Sequence, residues 1–456
     1  MALVKIHFLG ASGTVTGSKF YVETPESTLL IDCGLFQGLK ELRTANRQPF
    51  PIPVSEVDIV LLTHGHLDHT GYLPKLVAEG YQGPIVGSGP TLAIAKIILR
   101  DSAKIQEEEA EHANENGYGH HSPALPLYTL EDAERAISLF EERELDQWVS
   151  LSVNIRYRFR YNGHILGATF IELEIFGKIM VFSGDIGRAE DVLLSPPQRP
   201  QWADYLFVEG TYGNRDHPHE DVESVISTLV HRTIKERGTL IIPSFAVERL
   251  QTLMYILWTL YRKNRIPNIP IFVDSPMGAK VLSVFSEYPE WHALPLSELE
   301  AMGDHINIVS SYKDTWKTLD DPRPKIVIAG SGMVTGGRVL TYLKQLLDQK
   351  NTTVLLVGYQ AEGTRGRQLL EGAHEIKFFG KYHSVKARIE HLESLSAHAD
   401  QKEILHWLGA IRNIPEMVFP IHGEPLALDA LRVKIGHTFG WKVYVPRLYE
   451  ILEILV

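Results

Sequence analysis

The sequence has 456 residues, more than one hydrophobic core usually supports, and we therefore expect two or three domains. Its 44% hydrophobic and 22% charged residues are ordinary for a globular protein, and no apolar run is long enough for a membrane helix, so we expect no membrane partner. A net charge of −11 excludes a wholly basic protein that coats nucleic acid, but it allows a local basic groove. The single cysteine, Cys33, excludes intrachain disulfides, and the absence of a visible leader predicts a cytoplasmic location.

The first segment of the chain is predicted to form strands at 4–9, 18–23 and 28–32. A glycine-rich loop, residues 10–17, separates the first two. The loop lacks the Gly-Lys-Ser/Thr ending of a phosphate-binding P-loop, so we expect a tight hairpin turn instead.

A histidine-rich run follows the next apolar strand: Thr63-His-Gly-His-Leu-Asp-His69. A straight strand would send alternate side chains to opposite faces, so these donors converge only if the strand ends in a loop here. Imidazoles and a carboxylate without a thiolate suit zinc, with iron or manganese as alternatives. Four donors in one short loop are more than a single open metal usually takes. We therefore expect two metals sharing one site, an arrangement typical of hydrolases.

Two further candidate ligands follow predicted strands. Residues 90–145 are predicted to be mainly helical, and strands return at 151–161, 169–175 and 178–183. His164 lies in a glycine turn after the first of these strands, and Asp185 follows the third. Each alone is an ordinary turn residue. Beside the His64 loop they become candidates, because a dinuclear site needs about three more ligands.

From about residue 205 the pattern changes to alternating strands and helices. This pattern predicts a parallel sheet with helices on its faces. Since no flexible linker is visible at either end, we expect this region to be inserted into the first domain. Glu209 ends the first of these strands, and His398 and His422 lie in the tail. The predicted strands are 205–208, 238–242, 269–273, 306–309, 325–329 and 352–357, with a helix at 247–261.

Together these motifs resemble the metallo-β-lactamase superfamily, and within it the β-CASP ribonucleases. Asp32, the His64–His69 run, His164 and Asp185 match the general motifs in order. The three motifs particular to the β-CASP branch are matched by Glu209, His398 and His422. The resemblance covers essentially the whole chain. It is greatest to the bacterial and archaeal relatives of the nuclease subunit of the mRNA 3′-end cleavage and polyadenylation factor.

The resemblance implies an α/β protein in which an αββα metallo-β-lactamase sandwich carries an inserted, parallel-sheet β-CASP domain. The sandwich would comprise residues 1–205 and 395–456, and the insert residues 206–394. It also implies two Zn²⁺ ions, with Mn²⁺ or Fe²⁺ as alternatives, that activate a hydroxide. The first ion would be held by His64, His66 and His164, the second by Asp68, His69 and His422, and Asp185 would bridge both.

The resemblance further assigns the catalytic residues and the substrate. His398 would be the general acid, Glu209 would orient it, and Asp68 would be catalytic as well as a ligand. Asp32 would support a ligand histidine from behind. A histidine at the position of His422 accompanies RNA substrates in the family. The implied function is therefore hydrolysis of phosphodiester bonds in single-stranded RNA, by endo- or 5′-exonuclease action, in RNA processing or decay; a homodimer is also implied.

The sequence also offers candidate residues for binding the substrate phosphates. Backbone N–H groups and a guanidinium at a helix start can bind phosphate, and a glycine-rich turn is the alternative interpretation. A basic stretch, comprising Arg365, Arg367, Lys377 and Lys381, is a candidate track for the RNA backbone. Four other histidines, His120, His121, His217 and His219, are expected at the surface. The phosphate candidates are Ser331, Gly332, Gly336, Gly337, Arg338 and Arg365.

Two other functions stay open at this point. A small-molecule ester or thioester hydrolase on the same fold would explain residues 64–185 equally well, but it leaves the long insert and the Glu209–His398 pair without a purpose. A catalytically dead RNA-binding scaffold is the other alternative. Dead relatives lose metal ligands, however, and this sequence keeps all of them.

Overall fold

The computed structural model describes residues 2–116 and 123–456. The chain divides into two compact units. Unit 1 contains the chain up to Asp216 together with His398–Val456, and unit 2 is His217–Ala397. Within the described residues, no helix is long and apolar enough to cross a membrane. The domain boundaries drawn from the sequence stay a prediction.

Strands and helices are numbered in chain order. The strands are β1 (Leu3–Phe8), β2 (Phe20–Glu23), β3 (Thr28–Ile31), β4 (Ile59–Leu61), β5 (Ile85–Gly87), β6 (Phe140–Glu142), β7 (Val149–Ser150), β8 (Ile155–Tyr161), β9 (Thr169–Ile175), β10 (Lys178–Phe182), β11 (Tyr205–Glu209), β12 (Thr239–Pro243), β13 (Ile271–Asp274), β14 (Asn307–Ile308), β15 (Lys325–Ala329), β16 (Thr352–Val357), β17 (Glu375–Phe378), β18 (Lys381–Ser384), β19 (Arg388–Leu392), β20 (Met417–Ile421) and β21 (Ile451–Leu455).

The helices alternate with these strands, most regularly in unit 2. They are α1 (Lys40–Ala45), α2 (Leu67–Thr70), α3 (Leu73–Ala78), α4 (Gly89–Asn116), α5 (Leu130–Ile137), α6 (Val222–Lys235), α7 (Arg249–Arg262), α8 (Pro276–Glu287), α9 (Leu296–His305), α10 (Tyr312–Asp320), α11 (Val339–Leu346), α12 (Arg365–Leu370), α13 (Gln401–Leu408) and α14 (Pro425–Phe439).

Unit 1 is built from two sheets that pack face to face. The first has the strand order β21-β1-β2-β3-β4-β5-β6, and the second has the order β20-β11-β10-β9-β8-β7. Successive side chains of a strand point to opposite faces, so each sheet turns one set of apolar side chains towards the other sheet. The buried core between them includes Phe8 and Phe20 from the first sheet. From the second sheet it includes the stacked rings of Phe182 and Phe207, whose centroids lie 4.3 Å apart.

Helices cover the outer face of each sheet. Side chains of α3, α4 and α5 pack on the first sheet, as Leu73 and Leu99 do beside Leu30. Trp407 of α13 and Leu431 of α14 pack on the second. The layers are therefore helix, sheet, sheet, helix, which confirms the predicted αββα sandwich.

Unit 2 is built around a sheet with the strand order β14-β13-β15-β12-β16-β19. Every neighbouring pair in it is parallel. Strands β15 and β16 begin and end where the sequence predicted, and α7 lies within two residues of its predicted bounds. Such strands are buried on both faces, which is why they appear in the sequence as short continuous apolar runs.

Several expectations from the sequence are corrected by the structure. The glycine-rich loop is not a tight turn: residues 9–19 form a long connection between β1 and β2, which pair antiparallel. Strand β11, grouped by the sequence with the alternating region, pairs with β10 and β20 in unit 1. His217 is buried, with 6% of its surface exposed, whereas His219 is exposed as expected. His120 and His121 lie outside the described residues.

Lys19, at the end of the glycine-rich loop, is a buried cation. Only 4% of it is exposed, and its Nζ donates a hydrogen bond to the carbonyl oxygen of Gly34. The ammonium also lies 4.4 Å from the ring centroid of Phe36 and 5.2 Å from that of Tyr72. Burial lowers the pKa of Lys19 from 10.5 to about 8, because the charged form loses its hydration.

This burial predicts a pH-dependent stability. Between pH 8 and 10.5 the folded protein releases the Lys19 proton while the unfolded chain still binds it, so stability rises with pH. Relative to Lys19→Met, the free energy of unfolding of the wild type should rise by about 1.6 kcal/mol from pH 8.0 to 9.5, measured by urea denaturation. A constant difference between the two proteins would contradict the assignment.

Candidate metal centre

Neighbouring strands of the second sheet bring three acidic and imidazole side chains to one edge. Asp185 follows β10, Glu209 is the last residue of β11, and His422 follows β20. These three strands are adjacent and parallel, so their carboxyl ends lie side by side. Strand β8 also runs parallel to β10, since both are antiparallel to β9. His164, which follows β8, therefore reaches the same edge.

The histidine-rich run comes from β4 of the first sheet. The strand ends at Leu61, and the chain turns into the short helix α2, which starts after His66. The turn requires Gly65, because a Cβ there would lie 2.7 Å from the Cγ2 of Ile94. A strand end, a turn and a helical turn in succession place His64, His66, Asp68 and His69 on one side. The predicted loop geometry is thus present.

One group of four donors consists of three imidazoles and Oδ2 of Asp185. Nε2 of His64 lies 3.0 Å from Nδ1 of His66, and Nε2 of His164 lies 3.3 Å from the same atom. Oδ2 of Asp185 is 3.4 Å from Nε2 of His64 and 3.5 Å from Nε2 of His164. His64, His164 and Asp185 are almost fully buried.

A second group lies at the other oxygen of the same carboxylate. Nε2 of His69 is 3.3 Å from Nε2 of His422, which is 3.5 Å from Oδ2 of Asp68. Oδ1 of Asp185 is 3.4 Å from Nε2 of His69 and also 3.4 Å from Nδ1 of His422. The seven side chains predicted as ligands are therefore brought together, with Asp185 between the two groups.

The donor geometry fits bound metal ions. Around a tetrahedral Zn²⁺ with bonds of about 2.0–2.1 Å, neighbouring ligand atoms lie about 3.3 Å apart, close to the spacings found in both groups. Among the described residues, none makes a hydrogen bond of good geometry to the buried Oδ1 of Asp185, although two imidazole nitrogens lie 3.4 Å away, and a bound cation would satisfy this oxygen. The donors are imidazole and carboxylate, and Cys33 is buried elsewhere in the core of unit 1.

The protonation states of His64, His66 and Asp185 also suit metal binding. Burial lowers the pKa of His64 well below 6.5 and that of His66 to about 4, so both present neutral rings. Burial opposes ionisation of Asp185, but the histidines around it, His422 first, hold its pKa well below the ordinary value. His69 differs: burial lowers its pKa, but Asp185 and Asp32 outweigh that effect and raise it, so an ion bound there would have to displace a proton from the ring.

A third group, Glu209 with His398, adjoins Asp185. Nδ1 of His398 lies 3.1 and 3.2 Å from the two carboxylate oxygens of Glu209, which is fully buried. Backbone N–H groups of Ile186 and Thr211 donate to the same carboxylate and fix its orientation. Burial lowers the pKa of His398, but Glu209 and then Asp185 raise it to about 9.

Asp32 contacts the histidine-rich run on the side away from the two groups of donors. Its Oδ2 lies 2.7 Å from Nδ1 of His69, and its Oδ1 accepts a hydrogen bond from the backbone N–H of Thr63. These contacts fix the ring so that Nε2 of His69 faces the second group of donors.

Three supporting polar residues were missed from the sequence. The hydroxyl of Thr63 lies 3.1 Å from Nδ1 of His64, and that of Thr211 lies 3.2 Å from Nδ1 of His422. The Asn162 side chain donates to the backbone oxygens of Ser183 and Asp185. The one feature of the sequence that could have indicated these supporting roles is that each residue lies near a candidate site residue in the chain.

The phosphate candidates lie in unit 2. Ser331 Oγ accepts hydrogen bonds from the backbone N–H groups of Thr335 and Gly336, so these donors serve the loop itself. Gly332 and Gly337 belong to the same loop, where a Cβ at either would meet other atoms at less than 3 Å. The phosphate role of this loop stays a prediction.

Both candidate guanidiniums have partners within unit 2. Nη1 of Arg338 lies 3.2 Å from Oδ1 of the buried Asp274. Arg365 donates to the backbone oxygens of Thr335 and Lys377. These contacts assign a structural role to each arginine, and their phosphate role likewise stays a prediction.

Comparison with known families agrees with this geometry. Residues 13–242 match the family described as the metallo-β-lactamase superfamily. Residues 250–369 match the β-CASP domain, and residues 382–446 match the Zn-dependent metallo-hydrolase RNA specificity domain. The chain belongs to the metallo-β-lactamase superfamily, in its β-CASP branch.

Curated relatives of this β-CASP protein cover most of its length. It is 34% identical to "Ribonuclease TTHA0252" of Thermus thermophilus, over 92% of this chain and 94% of the relative. It is 30% identical to an "RNase J-like protein" of Methanocaldococcus jannaschii, over 100% of both chains. It is 28% identical to "Transcription termination factor FttA" of the same organism, over 99% of this chain and 72% of the relative.

A solved structure supports the fold alone. A protein of unknown function from Enterococcus faecalis V583 superposes with a TM-score of 0.55 at 14% identity, covering 99% of this chain and 100% of that one. The superfamily implies binding of divalent metal, which agrees with the clusters of histidine and aspartate in this β-CASP protein.

The contact between Asp32 and His69 predicts a change in metal affinity. In Asp32→Ala the His69 ring loses the carboxylate that holds its tautomer, so affinity for zinc should fall about 10- to 100-fold, measured by competition with a chromogenic chelator. Asp58→Asn is the matched control, because Asp58 accepts a hydrogen bond from the backbone N–H of Thr28 and lies on the exposed surface. Equal zinc affinity in Asp32→Ala and the control would contradict the role of Asp32.

Proposed function

We propose that this protein is a zinc-dependent ribonuclease that hydrolyses phosphodiester bonds of single-stranded RNA, in RNA processing or decay. The observation that carries the proposal is the buried Asp185 carboxylate, which faces two groups of imidazoles and adjoins the Glu209–His398 pair. The match to an RNA specificity domain and the relatives named as ribonucleases support the choice of substrate.

Two zinc ions fit the two groups of donors, and Mn²⁺ or Fe²⁺ are the alternatives. His64, His66 and His164 would hold the first ion, and Asp68, His69 and His422 the second, with one oxygen of Asp185 for each. Such a pair of divalent ions lowers the pKa of water towards neutrality and stabilises negative charge on a phosphate. Asp32, Thr63 and Thr211 keep the ligand rings in orientation through their ring contacts.

His398 is the proposed proton donor to the leaving sugar oxygen. Since Nδ1 of His398 faces both oxygens of Glu209, the carboxylate fixes the ring and stabilises its protonated form. Nε2 is then the atom that would carry the proton to the departing 3′ oxygen. Glu209 acts through His398 and is a positioning residue.

The alternative functions fit the site less well. A small-molecule ester or thioester hydrolase would use the same donors but gives no role to a match with an RNA specificity domain. A catalytically dead scaffold is expected to lose ligands, whereas every predicted donor lies within one of the clusters. The homodimer, the cytoplasmic location and the assignment of residues 206–394 as the β-CASP insert are part of the same proposal.

A labelled RNA tests the function directly. Single-stranded RNA carrying a 5′ or 3′ fluorophore should be cleaved by the zinc-loaded protein and spared after dialysis against a chelator, with activity restored by zinc. Single-stranded DNA of the same sequence is the control and should be cleaved far more slowly. Product lengths from the two labels distinguish endonuclease from 5′-exonuclease action. No cleavage of RNA, or equal cleavage of DNA, would contradict the proposal.

A substrate whose leaving group needs no proton tests the role of His398. His398→Ala should keep its zinc and lower the cleavage rate of ordinary RNA by about 10²–10⁴-fold, the range typical of general acid catalysis. With a 3′-bridging phosphorothiolate the departing sulfur needs no proton, so the same variant should cleave this substrate nearly as fast as the wild type. An equal loss of rate on both substrates would show that His398 has another role.

A further inference from the structure

An exposed aromatic hairpin projects from unit 2. Strands β17 and β18 pair antiparallel through Phe378 and Lys381, and Phe379 and Gly380 form a two-residue turn between them. Both turn residues have positive φ, +48° at Phe379 and +74° at Gly380. Turns of this kind favour Asn-Gly, because a bulky side chain is strained in the left-handed region. An aromatic residue at the first turn position is therefore expected only where an interaction of its ring offsets this strain.

A second Phe-Gly turn in the same chain has a packing interaction that Phe379 lacks. Phe176 and Gly177 connect β9 to β10 with φ of +48° and +83°, and a lysine follows there too. The Phe176 ring packs against the core between the two sheets of unit 1, so buried apolar surface offsets its strain. Phe379, by contrast, is 59% exposed.

The surroundings of Phe379 are aromatic and basic. Tyr382, in β18, is 65% exposed, and Nζ of Lys377 lies 5.5 Å from its ring centroid. Nζ of Lys344, on α11, lies 5.9 Å from the Phe379 ring centroid. Lys381 is also exposed, and Glu375 is the one carboxylate in the two strands of the hairpin.

The base of the hairpin is rigidly held. Ile376 and Phe378 are buried in the core of unit 2, and the His383 ring stacks on Phe378 at a centroid distance of 4.0 Å. Arg365 donates from Nε to the backbone oxygen of Lys377. Two exposed rings on a fixed hairpin, each with an ammonium nearby, are the elements of a stacking platform for nucleobases.

We infer that Phe379 and Tyr382 stack on bases of a single-stranded RNA whose phosphates are attracted by Lys344, Lys377 and Lys381. This inference rests on the proposed function and adds a binding surface distinct from the metal centre. The match to the RNA specificity domain begins at residue 382, within this hairpin. Positive charge beside the rings favours a polyanion as the partner.

Replacing Phe379 with asparagine tests the inference without disturbing the fold. Asn-Gly suits this turn better than Phe-Gly, so Phe379→Asn should melt at the same temperature as the wild type or higher. Its Kd for a fluorescein-labelled 12-nucleotide RNA, measured by anisotropy on the chelator-treated full-length protein, should rise at least about fivefold. Tyr449→Asn is the matched control: Tyr449 is 53% exposed with φ of +67°, lies in unit 1, and should leave this Kd unchanged.

An RNA strand that lacks its bases separates stacking from charge. Phe379→Asn should bind this abasic strand as the wild type does, whereas Lys377→Ala should weaken binding of both strands and flatten the salt dependence. Equal RNA affinity in Phe379→Asn and the wild type would overturn the inference, and so would an equal loss for the abasic strand. Conversion of a dimer to a monomer with RNA affinity unchanged would identify a protein interface instead.

The failure of this inference can be told apart from failure of the proposed function. If the zinc-loaded wild type cleaves RNA while Phe379→Asn binds RNA with wild-type affinity, the inference of base stacking is wrong and the proposed ribonuclease function is supported. If the wild type neither binds nor cleaves RNA, both proposals are overturned.

Discussion

The site depends on one buried carboxylate. Asp185 has almost no contact with solvent, and each of its oxygens lies within about 3.5 Å of imidazole nitrogens from different parts of the chain. Removing a carboxylate from water is costly unless positive charge surrounds it. In the proposed zinc-loaded protein, the ions held by the histidines would provide that environment on both sides. The same carboxylate therefore couples the two groups of donors, and supporting contacts such as that between Asp32 and His69 fix the rings around it.

The sheet topology explains how distant residues reach this carboxylate. Parallel neighbours β10, β11 and β20 end at one edge and deliver Asp185, Glu209 and His422 together, although more than two hundred residues separate the first from the last. Unit 2, inserted between β11 and β20 in sequence, leaves this pairing intact. Its residues are therefore added without interrupting the strand pairs that position the candidate ligands.

A feature of this protein can be predicted from the sequence when the residues that produce it are contiguous in the chain. The His64–His69 run and the strands β9, β15 and β16 are recognisable because their chemistry or apolar pattern is contiguous. His164 and His422 are ordinary turn residues on their own, and the family resemblance supplied their roles. The loop after β1 was misjudged because its length is set by contacts with distant segments. Its Ala11 oxygen, for example, accepts a hydrogen bond from the backbone N–H of His422.

The roles of supporting and surface residues likewise depend on distant parts of the chain and cannot be predicted from the local sequence. Thr63 and Thr211 carry no motif, and their roles appear only once their hydroxyls are seen beside ligand rings. Phe176 and Phe379 occur in nearly identical Phe-Gly-Lys turns, yet one ring packs on a core and the other faces solvent. Three letters of sequence cannot distinguish the two turns, because the difference lies in what the surrounding fold places over them.

Anomalous diffraction at the zinc edge, from crystals of the zinc-loaded protein, tests the shared carboxylate most directly. The account predicts two peaks, one within about 2.2 Å of the His64, His66 and His164 nitrogens and the other equally close to those of His69 and His422, with one Asp185 oxygen bound to each. A single peak, or a His422 ring turned away from Asp185, would contradict it.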